Sequence, residues 1–591
     1  MNFIKNVLAT VVGIILFCMM SFFILLIVGM IASMGSGSSS KSTKNNSIIK
    51  LDLSEVSADY GGSLYIEDFD YKETKNDGLI NVLQAIDYAK ADDNIKGISI
   101  ENNVTGLGIT QRKAIVNKLE DFKKTGKFVV AYADNYSQGE YYLASVADTV
   151  YVNPMGSVDI KGLASEVLYM KDLQDKTGIH MEVIRHGKYK SAVEPYLQQT
   201  MSAENREQLT VLLNSMWDAY ASDIAKNRKI SVEKLDEIAT NLNGRNANLA
   251  LQNKLVDKIA YIDQYHNGIR KALGIEAEKE INEVDIIDYI DDTKLKTSSF
   301  SAKEEIAVIF AQGEIQSGEG SANVIGEGSI NRALKAARKN DKIKAVVLRV
   351  NSPGGSALTS DIIWREIELT KKVKPVVVSM GDVAASGGYY IACNANKIFA
   401  EPGTITGSIG VFGMIPNFKQ IANKYGVTAQ EVKTHENATG YTVFSDMTPK
   451  FRETITEGIE IVYDTFISRV AAGRNMSKEK VDEIAQGRVW TGTMAKQIGL
   501  VDELGGLEDA ISYAAKLVKS TDYKISLYPE YKMSFNDILK KYFGMSIASD
   551  QIDNKIKEEI GVENYEVLQR VNYLKRAEGV QALMPYHLNV K

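Results

Sequence analysis

Cysteine, histidine and an excess of positive charge are all scarce in this 591-residue chain. Its two cysteines, Cys18 and Cys393, cannot build a disulfide framework or a multi-cysteine metal site. Cys18 lies in an N-terminal apolar run, so it is not expected to pair with Cys393. The five histidines (His180, His186, His266, His435, His587) are scattered, and none shows an HExxH or similar ligand spacing. A net charge of −6 gives no basic face for nucleic acid. What remains is an ordinary globular composition, 45% hydrophobic and 24% charged, on a chain too long for one core. Two or more domains are expected.

The N-terminus is different. Residues 7–34 run for 28 positions without a charge. At about 1.5 Å per residue this spans a hydrocarbon core of roughly 30 Å with tilt to spare. A cleavable signal has an apolar region of only about 7–15 residues, so the run reads as an uncleaved single-pass anchor, with a cleaved signal as the alternative. Bulky Phe17 before Cys18 disfavours a lipoprotein site. Lys5 precedes the run, and Lys41 and Lys44 follow it in the polar linker "GSGSSSKSTKNN", so the positive charges nearly balance. A short N-terminus ahead of a long apolar segment usually stays inside. The body is then expected on the extracytoplasmic side.

After the linker (residues 1–46 with the anchor) the chain repeats itself. "IKGISIENN" at 95 resembles "IKAVVLRVN" at 343, and "GEYYLASVADTVYVNPMGSV" at 139 resembles "GGYYIACNANKIFAEPGTIT" at 387, both 248 residues apart. "GIHMEVIRHGKYKSA" at 178 falls on "GVTAQEVKTHENATG" at 426 with the same spacing. Two related domains are expected, 47–300 and 301–591. Apolar β-rich runs such as "KAVVLRV" and "KPVVVSM" alternate with helical patterns such as "LTSDIIWREIELTKKV", which predicts an α/β fold of parallel sheets with helices outside.

Two glycine-rich strand ends carry the chemistry. "MGDVAASGGYYIAC" places Ser386 between a strand and a following apolar segment, among neighbours small enough for a substrate backbone to approach. "NSPGGSA" at 351 also follows a strand, and a Gly-Gly there can turn amides toward an oxyanion. Ligands collect at the carboxyl ends of parallel strands. A serine hydroxyl needs a base. His435 is a poor one, since it sits in no triad context, whereas a buried lysine with a lowered pKa can serve. The repeat supplies the pairing. Lys190 in "GKYKSAVEPY" maps onto Ala438, and Ser386 maps onto Gln138, so the first copy has the lysine without the serine and the second has the serine without the lysine.

"YKSAVEPY", "NSPGGSA", "AASGGYYIA" and "TGSIGVF" together resemble the signal peptide peptidase A (protease IV) family in its long, duplicated, membrane-anchored bacterial form, over nearly the whole chain. The resemblance implies two tandem Clp/crotonase-like domains of β-β-α units. It implies a Ser/Lys dyad with Ser386 as nucleophile and Lys190 as general base, Ser408 orienting the lysine, and Gly355 and Gly387 supplying oxyanion amides. It also implies peptide substrates such as cleaved signal peptides, no metal or other cofactor, a homotetramer, and a place in the bacterial inner membrane with the body on its periplasmic side. The first copy departs from the motifs, with "NNVTGLG" for "NSPGGSA" and "VDIKG" for "TGSIG", so one active site per chain is expected. Lys188 is the decoy beside Lys190. A CoA enzyme of crotonase type and an inactive envelope scaffold are the rival readings.

Overall fold

The computed structural model describes residues 43–56, 58–66, 71–297, 302–533 and 581–583, together with the helical Gly13, Ile14, Phe17 and Ser21. The apolar run 7–34 otherwise lies outside the described residues, as do Cys18 and His587. Among the described residues no helix is long and apolar enough to cross a membrane.

Continuous apolar strands need cover on both faces, and they receive it. The first copy builds a six-stranded parallel sheet in the order Lys258–Ile259, Thr149–Val152, Phe128–Ala133, Ile95–Glu101, Ser47–Lys50, Asn282–Asp285. The second copy builds the corresponding sheet around Glu304–Gln312, Ile343–Ser352 and Val376–Ala385, whose paired central residues are fully buried. The repeat holds element by element. Strands begin at Ile95 and Ile343, at Phe128 and Val376, and at Thr149 and Lys397, each pair 248 residues apart. Helices Leu79–Ala91 and Ile109–Lys123 recur at the same spacing as Glu327–Lys339 and Ala357–Lys371.

The long helices follow their apolar spacing and their caps. Ser202 accepts the Asn205 amide at the start of Ala203–Arg228, and Thr448 accepts the Phe451 amide at the start of Pro449–Arg474. Each ends in a left-handed residue, Lys229 and Asn475. The strand expected at "KPVVVSM" is longer than its apolar run. It extends through Gly381 and Asp382 to Ala385, and this brings Ser386 to the strand's carboxyl end.

The two copies are joined by more than the chain. Arg349, wholly inside the second copy, donates through Nε to Asp59 of the first at 2.8 Å, and also to Ser379 Oγ and the Met380 carbonyl. Asp382 accepts the Thr110 amide at 2.7 Å from the opening turn of the helix Ile109–Lys123. The largest crossing is an arm. Strand His180–His186 leaves the first copy and pairs antiparallel with Val411–Asn417 of the second.

Candidate active site

Ser386 stands between the strand Val376–Ala385 and the helix Gly387–Ala392. The turn is abrupt, and its residue takes φ 55° and ψ −116°, a conformation rare for any side chain bearing a Cβ. It is held by the Ser386 amide donating to the Gly407 carbonyl at 2.8 Å, and by the Tyr390 amide donating back to the Ser386 carbonyl at 2.8 Å. Gly388 is required by close packing, since a Cβ there would lie 2.7 Å from the Ser352 carbonyl oxygen.

The strand Ile343–Ser352 is the parallel neighbour of Val376–Ala385, so "NSPGGSA" and "AASGG" meet at one end of the sheet. Gly354 and Gly355 take φ values of 102° and 149°, which glycine tolerates. The Gly354 amide donates to Ser352 Oγ at 3.1 Å. Gly387 is the first residue of its helix, so its amide has no intrahelical acceptor. Against Gly354–Ser356 lies an antiparallel strand from the far end of the chain, Gln581–Leu583, whose Gln581 also pairs with Phe412.

Lys190 arrives on the arm. After strand His180–His186 the chain turns at Gly187, and Lys190 is completely buried. Its Nζ lies 3.0 Å from Ser386 Oγ, 3.0 Å from Ser408 Oγ and 3.1 Å from the Ser408 carbonyl. Burial pushes its amine well below the ordinary lysine range, and no neighbouring charge is among the causes. A neutral amine has two hydrogens and one lone pair. With both hydrogens spent on Ser408, the lone pair is left for the Ser386 hydroxyl. Ser408 itself sits at φ 49°, fixed by its amide donating to the Arg488 carbonyl at 2.7 Å.

The lysine's place is over-determined. The Tyr189 amide donates to the Gln486 carbonyl, Arg185 donates to the Lys190 carbonyl at 3.1 Å, and Gln208 donates to the Tyr189 carbonyl. Buried Glu194 gathers the following turn by accepting from Tyr169, Ser202 and Asn205. Gly487 lies so close that a Cβ there would stand 2.7 Å from the Lys190 N, Cα and Cβ. Sequence reading missed Gly487 and this polar frame. A glycine paired across space with a lysine leaves no local signal.

The decoys fall away. Lys188 is exposed, with Nζ 5.1 Å from the centre of the Tyr189 ring. His435 is exposed, with its ring 3.1 Å from the Thr434 hydroxyl, while His186 stacks on Tyr463 and bonds Glu460. In the first copy, Gln138 occupies the serine's position. Its side chain accepts the Lys161 and Gly162 amides and donates to the Gly162 carbonyl, tying off its own sheet end. Cys393 is buried and its thiol is pushed up to about 12 by desolvation, so it is an inert core residue. Among the described residues no cluster of histidine, cysteine and carboxylates could hold a metal ion.

Peptidase family S49 matches residues 121–276 and 368–521, one stretch in each copy. The chain is 40% identical over 450 residues to Protease 4 of Haemophilus influenzae, covering 74% of this chain and 72% of that one. It is 37% identical over 529 residues to Protease 4 of Salmonella typhi, covering 86% and 84%. Among solved structures, a ClpP1 mutant from Listeria monocytogenes matches 34% of this chain and 94% of its own, at 16% identity and a TM-score of 0.24.

Proposed function

The chain belongs to peptidase family S49 and is a serine peptidase, and we propose that it works through a dyad of Ser386 and Lys190 contributed by its two copies. The observation that carries this reading is the 3.0 Å approach of a wholly buried, charge-isolated lysine amine to the hydroxyl of a serine on a strained strand-to-helix turn.

In the proposed reaction, Lys190 takes the Ser386 proton as Oγ attacks the carbonyl carbon of a peptide bond. The amides of Gly355 and Gly387 hold the oxyanion that forms. The tetrahedral species collapses, the C–N bond breaks, and Lys190 returns its proton to the leaving amine. A water then loses its proton to Lys190 and attacks the acyl-enzyme, which frees the acid and restores the serine. Ser408 keeps the amine turned toward Ser386 through both steps. No cofactor is called for.

Peptides in or beside a membrane, such as cleaved signal peptides, are the substrates of this reading. The strand Gln581–Leu583 supports extended peptides, because a backbone already lies against Gly354–Ser356 as an added strand. Residues 7–34 anchor the chain in the bacterial inner membrane as a single pass, the body stands on the periplasmic side, and four chains assemble. The test is labelling of the full-length chain with a fluorophosphonate probe, alongside cleavage of an apolar fluorogenic peptide. The reading expects one labelled serine, lost in Ser386→Ala, with turnover lost in both Ser386→Ala and Lys190→Ala. An unlabelled protein that cleaves nothing is the scaffold of the rival reading.

A further inference from the structure

Lys190 and Ser408 are held from different copies, and one residue of the second copy reaches both supports. The loop after the helix Lys478–Ile484 turns through Gln486 and Gly487, both left-handed, and Arg488 follows just before the strand Val489–Thr491. The Arg488 backbone serves its own copy. Its amide donates to the Ala485 carbonyl at 2.9 Å, and its carbonyl accepts the Ser408 amide at 2.7 Å. The flanking residues meet the first copy. The Gln486 carbonyl accepts the Tyr189 amide at 2.9 Å, and the Val489 amide donates to the Gln208 side chain at 3.2 Å.

The Arg488 side chain crosses to the arm itself. Its guanidinium carbon lies 4.8 Å from the centre of the Tyr189 ring and 4.6 Å from that of Trp490. Nη1 donates to the Tyr189 hydroxyl at 3.3 Å, and Nη2 donates to the Glu207 carboxylate at 2.9 Å. The Tyr189 hydroxyl donates to the other Glu207 oxygen at 3.4 Å, which closes the circuit. Trp490 is fixed in turn by its indole N–H donating to the Ile484 carbonyl at 3.1 Å. Arg488 therefore grips the residue next to Lys190 and, through Glu207, the long helix Ala203–Arg228. Lys188 also lies over the Tyr189 ring, but it belongs to the arm and ties it to nothing in the second copy.

This contact is built for geometry more than for stability. Glu207 is half-exposed, and an exposed ion pair contributes little. The Arg488 Nε is buried without a hydrogen-bond partner among the described residues, which is a cost. What the guanidinium provides is a rigid plane that lies against aromatic rings and presents two donors in a fork, which an ammonium cannot reproduce. At the positions 248 residues away from Tyr189, Arg488 and Trp490 stand Asn437, Thr240 and Leu242, all exposed, with neither ring nor guanidinium. The clamp accompanies the lysine and the serine. We propose that the Arg488 side chain is a positioning residue of the peptidase, which holds Tyr189 against the second copy and so keeps the Lys190 amine within reach of Ser386 Oγ. Lys190 is one peptide unit from Tyr189, so a shift of the ring is passed to the amine, and a misplacement of about 1 Å costs about 10²-fold in rate. The proposal rests on the dyad reading and adds the side chain that keeps its two halves in register.

The test uses the full-length chain in detergent, assayed for cleavage of an apolar fluorogenic peptide and for the rate of fluorophosphonate labelling. Replacing the Arg488 side chain leaves its carbonyl on Ser408, so a loss reports on the arm. Arg488→Ala is expected to lose about 10²-fold in kcat and in labelling rate, with KM within about threefold of wild type. The double variant with Tyr189→Ala is expected to lose no more than Arg488→Ala, because both changes break one hold. Millimolar guanidinium is expected to restore part of the Arg488→Ala rate, and urea none. Arg488→Lys keeps the charge beside Glu207 without the fork, is expected to lose about tenfold, and decides the matter if Arg488→Ala fails to fold. A Lys190→Ala variant that cleaves like wild type overturns the dyad reading and this proposal together. A dead Lys190→Ala beside a fully active Arg488→Lys overturns the proposal alone, as do losses that add in the double variant.

Discussion

Replacing Lys190 by methionine is expected to separate catalysis from stability. The amine is completely buried, and its contacts are two hydroxyls and one carbonyl, with no carboxylate among the causes of its shift. Its folded-state pKa therefore lies below the unfolded value of about 10.4. Between the two values the unfolded chain binds a proton that the folded chain does not. Stability then rises with pH across that window, and below it the lysine is a standing cost of about 1.4 kcal/mol per unit of separation. Methionine keeps most of the apolar stem and removes that cost. It also removes three neutral hydrogen bonds, two to Ser408 and one with Ser386, worth about 3 kcal/mol together. Desolvation of a wholly buried amine with no charged partner exceeds that loss. Lys190→Met is thus expected to resist denaturant better than wild type at pH 7, with the advantage fading as pH approaches 10.

Turnover moves the other way. Loss of a general base costs about 10²–10⁴-fold, and more where nucleophile and base act as a unit. Peptide cleavage by Lys190→Met is expected to fall at least 10³-fold, and the double variant with Ser386→Ala no further. Lys188→Ala, whose amine lies over the Tyr189 ring, is expected to cleave normally. Wild-type kcat/KM is expected to rise with pH as the Lys190 amine loses its proton. Urea titrations from pH 6 to 10, with a fluorogenic peptide assay on the same samples, measure both sides. A stability difference independent of pH, or a Lys190→Met variant within tenfold of wild type, refutes the reasoning.

Three further outcomes are expected. Ser386→Gly is expected to be more stable than Ser386→Ala by about 1–3 kcal/mol in denaturant titrations, because only glycine relieves the strained turn at φ 55°; equal stability argues against stored strain. Gly487→Ala is expected to fold, yet to lose at least tenfold in turnover and in the rate of probe labelling, since its Cβ would press on the Lys190 backbone; unchanged labelling would show that the lysine's position is not critical. Asp59→Ala is expected to cost about 3–5 kcal/mol in thermal or chemical unfolding, because it leaves Arg349 buried without its carboxylate; a loss below 1 kcal/mol would mean that water solvates the guanidinium.

The parts of the fold that depend on local pattern were open to sequence reading. Strand and helix starts recur at the 248-residue spacing that the quoted motifs carry, because homologous apolar runs fold alike. Ser386 and Lys190 were legible from their motifs and the repeat, Ser408 only from the family resemblance, and the Lys190 amine lies within hydrogen-bond distance of both serines. What could not be read is set by distance in sequence. The strand pairing of His180–His186 with Val411–Asn417 depends on the docking of two copies, and nothing in "HMEVIRH" specifies a partner 230 residues away. The same holds for the Gly487 contact with Lys190 and for Arg349 meeting Asp59, each a single residue whose partner lies in the other copy. The strand Val376–Ala385 outran its apolar run because Asp382 is satisfied by Thr110 of the first copy, so a charged residue is tolerated inside a buried strand.

The complementary losses in the two copies have a physical logic. A buried neutral lysine and a strained serine are each a burden on the fold that holds them, and two complete sites would double both. In the first copy the serine's position is taken by Gln138, which closes hydrogen bonds to Gly162, and Tyr220 donates its hydroxyl to the Gln138 carbonyl. That sheet end is thereby stabilised as a support. Freed of catalysis, the first copy has kept what the second lacks, an arm that delivers Lys190 into the neighbouring sheet. The second copy has kept the strained turn and the glycine loop and given up its lysine at Ala438. Neither copy alone holds a base beside a nucleophile. In the proposed dyad the pairing of the arm with Val411–Asn417 carries the Lys190 amine into a wholly buried place 3.0 Å from Ser386 Oγ.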